Sequence, residues 1–480
     1  MHIAQRCCIY GIAQYPLMHH WIRLCRIWIL SIAWAPLPAK GGHVPDIGQL
    51  SEAAIEIADR RRIAPAYVPD ATDPGVPWTN DGDPRITSIE AIVTAPEGVN
   101  LVVVRVRTSV DGLEGLGCAT FHQRAQAVKT AIDEYVAPRL VGRSVHEITD
   151  IWNSSHVDGY WRSGPVLNSA LAGVDIALWD IKGKLAGLPV WQLLGGRVRR
   201  DVQTYVHASG RDLEELVDNV EACVSAGYGV VRAQITVPGT STYGAALQSQ
   251  SDSSWDPEKY VRFMPHVFEE LSARFEGRVR FLHDIHERVD PVDALRLMQA
   301  LEPFGLLFVE DPVAPEDLEW MRTFRSRTSV PLALGELLTD MRSFTLLITE
   351  RLVDFIRCHV TALGGITPAW RVALLAEVHG VKTAWHGPRD VSPIGHMANL
   401  AMDIASPAFG IHEHFEFSEP AQEIFPGTPR TSGGVLSVPT APGLGIALDE
   451  RKAAEFPPVS SATNWHYSRV RRQDGTIQRP

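Results

Sequence analysis

The 480-residue chain has no cluster of basic residues, no patterned cysteines and no apolar run long enough to span a membrane. Each absence removes a class of function. With 45 Lys and Arg against 56 Asp and Glu, the formal net charge is −11, which argues against a nucleic-acid surface. Cys7, Cys8, Cys25, Cys118, Cys223 and Cys358 have neither metal-ligand nor disulfide-framework spacing and read as reduced thiols of a cytoplasmic protein. The stretch Trp28 to Trp34, preceded by Arg23 and Arg26, has the look of a secretory apolar core ending near Pro38-Ala39, but is too short for a span. A long His-containing lead-in and a poor cleavage motif favour instead a leader or extension over residues 1–82.

What remains is ordinary globular composition, 45% hydrophobic and 21% charged, in a chain too long for one typical core. Within it, Asp284, Glu310 and Glu336 each close a short apolar run, 26 residues apart in both intervals. The runs Val279 to Asp284, Leu306 to Glu310 and Val330 to Glu336 are too short for helices and rich in buried-strand residues. One βα repeat per carboxylate is the simplest reading. Val202 to His207, Val230 to Ile235, Val353 to Arg357, Val381 to His386 and Phe409 to Glu413 continue the pattern to eight strands. Pro291 to Leu301 and Pro315 to Arg327 have the apolar spacing of crossover helices. This predicts an α/β fold with a (β/α)8-type barrel over residues 201–415, whose strand ends bring the acids together at the catalytic face. Hard oxygen ligands there suit Mg²⁺, whereas acids at scattered strand ends would merely pair with Lys or Arg.

Ahead of the barrel, Arg85 to Thr94, Asn100 to Ser109 and Gly115 to Thr120 read as three strands, followed by a closely packed helix over Val166 to Leu185. The segment after it is rich in Pro and Gly, with Pro442 to Gly445 and a helical run from Asp449 to Glu455. The prediction is an α+β capping domain formed by residues 83–200 and completed by 416–480, with the active site between cap and barrel.

Several motifs occur in order: Asp175-Ile-Ala-Leu-Trp-Asp-Ile-Lys-Gly-Lys184, Arg232-Ala-Gln234 with Pro238-Gly239 and Tyr243-Gly244, Asp284-Ile-His286, Glu310-Asp-Pro312, Gly335-Glu336, Gly364-Gly-Ile-Thr367 and His386-Gly-Pro-Arg-Asp390. The ordered set resembles D-mannonate dehydratases of the enolase superfamily over about residues 85 to 475. That resemblance implies conversion of a six-carbon aldonate to a 2-keto-3-deoxy acid through an ene-diolate, with Mg²⁺ on Asp284, Glu310 and Glu336. Relatives of the mandelate-racemase type carry Lys-x-Lys on the second barrel strand, where this chain has Arg232-Ala-Gln234. No lysine base is available there. The resemblance assigns proton abstraction to Tyr243 activated by Arg232, and protonation of the departing C3 hydroxyl to His286, which could alternatively only orient a carboxylate. It implies further that Arg357, His386, Asp390 and Glu413 bind the substrate. His207 joins them or is a buried structural histidine. The polar stretch from Pro238 to Ser254 reads as a lid.

Two departures concern specificity. Many mannonate dehydratases have Asn-Gly-Arg-Glu in the cap where this chain has Phe121-His-Gln-Arg124, which places His122 among the substrate-contact candidates. Many also end in Trp soon after Asp-Gly-Thr, whereas Asp474-Gly-Thr476 is followed here by Ile-Gln-Arg-Pro480. D-gluconate or another aldonate is therefore the alternative substrate, and a weakly active ligand-binding or regulatory paralogue the alternative class. The expected partners are a small acid sugar and further copies of the chain in a homo-oligomer, with no nucleic acid or membrane.

Overall fold

A computed structural model describes residues 80–237, 254–460 and 471–479; Tyr243 and nearly all of the expected leader and lid lie outside them. The three predicted cap strands form as β1 (Ile86–Thr94), β2 (Leu101–Thr108) and β3 (Glu114–Cys118), an antiparallel sheet in that order. Beneath it runs the helix Pro165–Ala186, opened by a proline in its first turn and closed by Gly187 at φ 66°. The helix has Gly173 where the sheet crosses it, and the sheet has Gly117. A Cβ on Gly117 would lie 1.8 Å from the Gly173 carbonyl oxygen, so the two backbones touch without side chains between them.

Eight parallel strands follow: β4 (Val202–Gly210), β5 (Val230–Ile235), β6 (Arg280–Asp284), β7 (Val309–Glu310), β8 (Leu332–Leu334), β9 (Phe355–Ile356), β10 (Lys382–Thr383) and β11 (His412–Glu413). Each pairs with the next up to β10, a parallel bridge from Thr383 to Phe409 joins β10 to the approach to β11, and β11 pairs with β4. The sheet is thereby closed. Amphipathic helices such as Leu213–Ser225, Pro291–Leu301 and Met341–Thr349 cover its outside. The predicted helix from Pro315 is split: Pro315–Asp317 forms a 3-10 turn and the α-helix runs only over Trp320–Arg327.

Tyr205, Val230, Leu282, Phe308, Ala333, Ala384 and Ile411 fill the barrel interior as one apolar cluster. Because side chains alternate across a strand, the residue two places further on in each case points inward again, one step nearer the C-terminal face. That rule places His207, Arg232, Asp284, Glu310, His386 and Glu413 in a single polar layer.

Cap and barrel are tied by buried hydrogen bonds. Asp175 Oδ2 accepts from the Thr367 N–H at 2.9 Å, Asn168 Nδ2 donates to the carbonyls of Thr339 and Ala362 at 2.7 Å each, and Trp152 Nε1 donates to Gly364 O at 2.9 Å. The C-terminal segment joins the cap where Asn100 and Val459 exchange two 2.9 Å bonds. Part of that segment does something unexpected. A hairpin of β12 (Thr431–Ser432) and β13 (Val435–Leu436) pairs antiparallel with β4, extending the barrel sheet rather than the cap.

Gly117→Ala should lower stability by about 3 kcal/mol, the upper range for forced overpacking, because backbone rather than a yielding side chain fills the space. Thermal denaturation checks this, and an unchanged midpoint would contradict the close approach.

Candidate active site

The polar layer is built around two buried arginines. Arg357, at the end of β9 and fully buried, donates from Nη1 to the Tyr205 hydroxyl at 2.6 Å, while its Nη2 lies 2.8 Å from both Glu310 Oε1 and Glu413 Oε2. Arg232 Nη1 lies 3.2 Å from Asp284 Oδ2 and from Glu310 Oε1, and its Nη2 is 3.2 Å from His207 Nδ1. Burial alone would disfavour either charge, but the surrounding carboxylates, Glu310 foremost, outweigh it and hold both guanidiniums firmly protonated.

Glu413 has an arginine and a backbone N–H at one oxygen and a histidine beside the other. Its Oε2 accepts from Arg357 and from the Gly387 N–H at 2.8 Å, and His207 Nε2 lies 2.8 Å from its Oε1. Burial would raise its carboxyl, yet Arg357 and His207 hold it well below the usual range. Glu310, Asp311 and Glu336 go the other way. Burial, with Asp284 adding to it, pushes Glu310 up to about 7 against the pull of Arg357, and burial with neighbouring like charges raises Asp311 and Glu336 well above the ordinary range.

Glu336 reaches the layer by a different route from the others. β8 ends at Leu334, and continued alternation after inward-facing Ala333 would aim Glu336 outward. Gly335 adopts φ 141°, a conformation open to glycine, and turns the chain so that Glu336 faces inward. Its Oε1 lies 3.4 Å from His286 Nε2 and its Oε2 3.0 Å from His386 Nε2. His386 is held well below its ordinary value by burial and shares a 2.8 Å hydrogen bond between its Nδ1 and that of His359. From the cap, His122 Nε2 comes within 3.4 Å of Asp390 Oδ2.

The structure thus brings together Arg232, His286, His207, Arg357, His386, Glu413, Asp284, Glu310 and Glu336, with His122 meeting Asp390 at the cap side; Tyr243 lies outside the described residues. One expected role changes. Arg357 was expected to bind substrate, but its guanidinium is fully buried among Tyr205, Glu310 and Glu413, so it anchors those acids from below. His207 is half-buried, with 28% of its side chain exposed while its Nε2 is buried against Glu413.

Comparison with known proteins gives the family. Residues 78–195 match the mandelate racemase / muconate lactonizing enzyme N-terminal domain, and residues 215–452 match the family described as enolase C-terminal domain-like. A D-galactonate dehydratase family member from Musicola paradisiaca is 45% identical over 415 residues, covering 82% of this chain and 99% of the relative. The chain belongs to the D-galactonate dehydratase family of the enolase superfamily. It is an enzyme of the hydro-lyase class. A crystal structure of an enolase from Pantoea ananatis with bound D-gluconate and Mg is 43% identical, with a TM-score of 0.79, covering 83% of this chain and 100% of that one. A mandelate racemase/muconate lactonizing enzyme from Labrenzia alexandrii, at 24% identity and a TM-score of 0.71, shares the fold.

The family member's residues fit a hard divalent cation on geometry alone. Among the described residues, Asp284, Glu310 and Asp311 bring carboxylate oxygens within 4.8 Å of one another. Asp284 Oδ1, Glu310 Oε2 and Asp311 Oδ2 are buried without a hydrogen-bond donor. Five carboxylates (Asp284, Glu310, Asp311, Glu336 and Glu413) face two guanidiniums, so a positive charge is needed to ionise them together. Asp311 stands beside the expected triad in this tight group, while the oxygens of Glu336 face His286 and His386. The signal for Asp311 was present in the Glu310-Asp-Pro312 motif. His359 had none, because its role depends on a neighbour 27 residues away.

A pH effect follows. Carboxyls raised by burial take up protons on folding, so the cation-free enzyme should lose stability as pH rises from the ordinary 4.5 of Glu310 through about 7. A divalent cation should stabilise increasingly over that range, because it competes with those protons. Thermal melts of chelated and cation-loaded enzyme across pH check this; a cation effect that shrinks with rising pH would contradict it.

Proposed function

We propose that this enzyme is a Mg²⁺-dependent acid-sugar dehydratase that removes water from a six-carbon aldonate, D-mannonate in the first reading, giving a 2-keto-3-deoxy acid. The observation that carries it is the arginine-bounded carboxylate group with His286 beside it and no lysine on β5. Asp284, Glu310 and Glu336 would hold the Mg²⁺, with Asp311 adjacent. Bound there, Mg²⁺ supplies the positive charge that lets a carbon acid beside a carboxylate lose its proton, as in enolase-superfamily sites generally.

The chain's own residues divide the remaining work. Arg232 cannot accept a proton, since Glu310, Asp284 and Glu413 hold its guanidinium charged. The family resemblance gives the part of base to Tyr243, whose phenolate a fixed guanidinium would favour. Tyr243 takes the C2 proton, and the electron pair left behind expels the C3 hydroxyl. His286 gives that hydroxyl a proton, so that water departs rather than hydroxide. The resulting enol takes up a proton at C3 and gives up the proton of its C2 hydroxyl to become the keto acid. Uncharged His207 and His386, with Glu413, His122 and Asp390, orient the sugar hydroxyls and carboxylate.

D-gluconate is the second reading. It is favoured by the D-gluconate and Mg bound in the Pantoea ananatis enolase. The two epimers differ only in how C2 is presented to the base, so groups that orient the sugar decide between them, whereas the metal carboxylates see both alike.

Tyr243→Phe should abolish both C2 proton exchange with deuterated solvent and product formation. His286→Asn should suppress product while leaving exchange measurable. Wild-type exchange in Tyr243→Phe would move the base elsewhere, with His386 next in line. For specificity, His122→Asn should shift the mannonate-to-gluconate ratio of kcat/KM by about tenfold or less while leaving Mg²⁺ affinity unchanged. A ratio untouched by changes at both His122 and Gln123 would remove the cap segment from the specificity argument.

A further inference from the structure

Behind the polar layer, the helix Pro393–Ala405 is buried at every one of its residues. Such a helix is expected to be apolar all round. His396, Asn399 and Asp403 break that pattern at positions i, i+3 and i+7, which share one helical face. Burying three polar side chains costs free energy, and here one polar atom of each reaches a group next to the polar layer, while His396 Nδ1, Asn399 Oδ1 and Asp403 Oδ1 are buried without a hydrogen-bond partner. His396 Nε2 donates to Pro388 O at 3.3 Å, Asn399 Nδ2 donates to His386 O at 3.4 Å, and Asp403 Oδ2 lies 2.7 Å from Nδ1 of His412, which directly precedes Glu413.

Two further contacts make these targets one unit. The Gly387 N–H donates to Glu413 Oε2 at 2.8 Å, linking the turn after β10 to the end of β11. A Cβ on Gly387 would meet Glu413 O at 2.9 Å and His396 Cε1 at 3.3 Å, so turn, strand and helix are packed with no slack. Burial holds the His396 imidazole down to about 3, and its neutral form supplies the single N–H that Pro388 O requires.

We propose that His396, Asn399 and Asp403 form a positioning stripe that fixes the His386–Asp390 turn and Glu413, and so sets sugar affinity and epimer selectivity without touching substrate or cation. The proposal rests on the reading that His386, Asp390 and Glu413 orient an aldonate. It extends that reading from the groups that meet the sugar to the groups that hold them in place.

The test compares His396→Leu and Asn399→Leu with the conservative His396→Gln and Asp403→Asn, which retain a donor and an acceptor respectively. Each purified enzyme is measured for KM and kcat on D-mannonate and D-gluconate, for Mg²⁺ affinity by calorimetry, and for folding by circular dichroism. The leucine variants should raise KM about tenfold with kcat within about threefold, and change the epimer ratio, at unchanged Mg²⁺ affinity. The conservative variants should stay near wild type. If the leucine variants fold and melt lower but keep wild-type KM and epimer ratio, the stripe is only structural and the proposal is wrong. If His396→Leu does not fold, the comparison of Asn399→Leu with wild type decides in the same way. Absence of wild-type turnover on every aldonate is a separate outcome: it overturns the functional reading, and this proposal with it.

Discussion

The functional layer of this barrel depends on the burial of Arg357. A guanidinium taken fully out of water is tolerable only if its charge is matched, and it is matched by Glu310 and Glu413 at 2.8 Å with the Tyr205 hydroxyl beneath. Those contacts fix two acids from strands on opposite sides of β9. Arg232 repeats the arrangement with Asp284 and Glu310, so Glu310 is held from both sides. Two arginines cannot neutralise all the acids they gather. The surplus negative charge makes the site cation-seeking, and it comes from the same contacts that keep the barrel end in order.

Strand geometry explains why these residues meet. In seven strands an inward apolar residue is followed two places later by a polar one: Tyr205 and His207, Val230 and Arg232, Leu282 and Asp284, Phe308 and Glu310, Phe355 and Arg357, Ala384 and His386, Ile411 and Glu413. The apolar members close the barrel floor, and the polar members form the layer above it. The outward residues between them pack on helices or, at His412, carry the contact to Asp403. β8 alone departs from the rule, and Gly335 is the device that restores Glu336 to the layer.

Most of this was legible in the chain because period-two alternation and the 26-residue spacing are properties of sequence. Equal spacing nevertheless concealed a difference in register. Glu310 pairs beside Asp284, but beside Glu310 on β8 stands Ala333, with Glu336 three residues beyond it. The capping sheet and its helix were also readable from turn residues and small side chains. Arg357's role as an anchor was not, since it depends on burial, and the hairpin on β4 was not, since two-residue strands carry no periodicity. Asp311 and His359 acquire their roles only from neighbours that the fold brings in. The polar stripe on the helix Pro393–Ala405 belongs to the same class, visible once the helix is known to be buried throughout.

The central claim is that this carboxylate layer works through Mg²⁺ to dehydrate an aldonate. Its most direct test is formation of 2-keto-3-deoxy acid from a panel of six-carbon aldonates, measured with Mg²⁺, after exhaustive chelation, and after Mg²⁺ is returned. The account predicts product from D-mannonate or D-gluconate that disappears on chelation and reappears with Mg²⁺. Turnover undiminished by chelation, or no product from any aldonate with Mg²⁺ present, would contradict it.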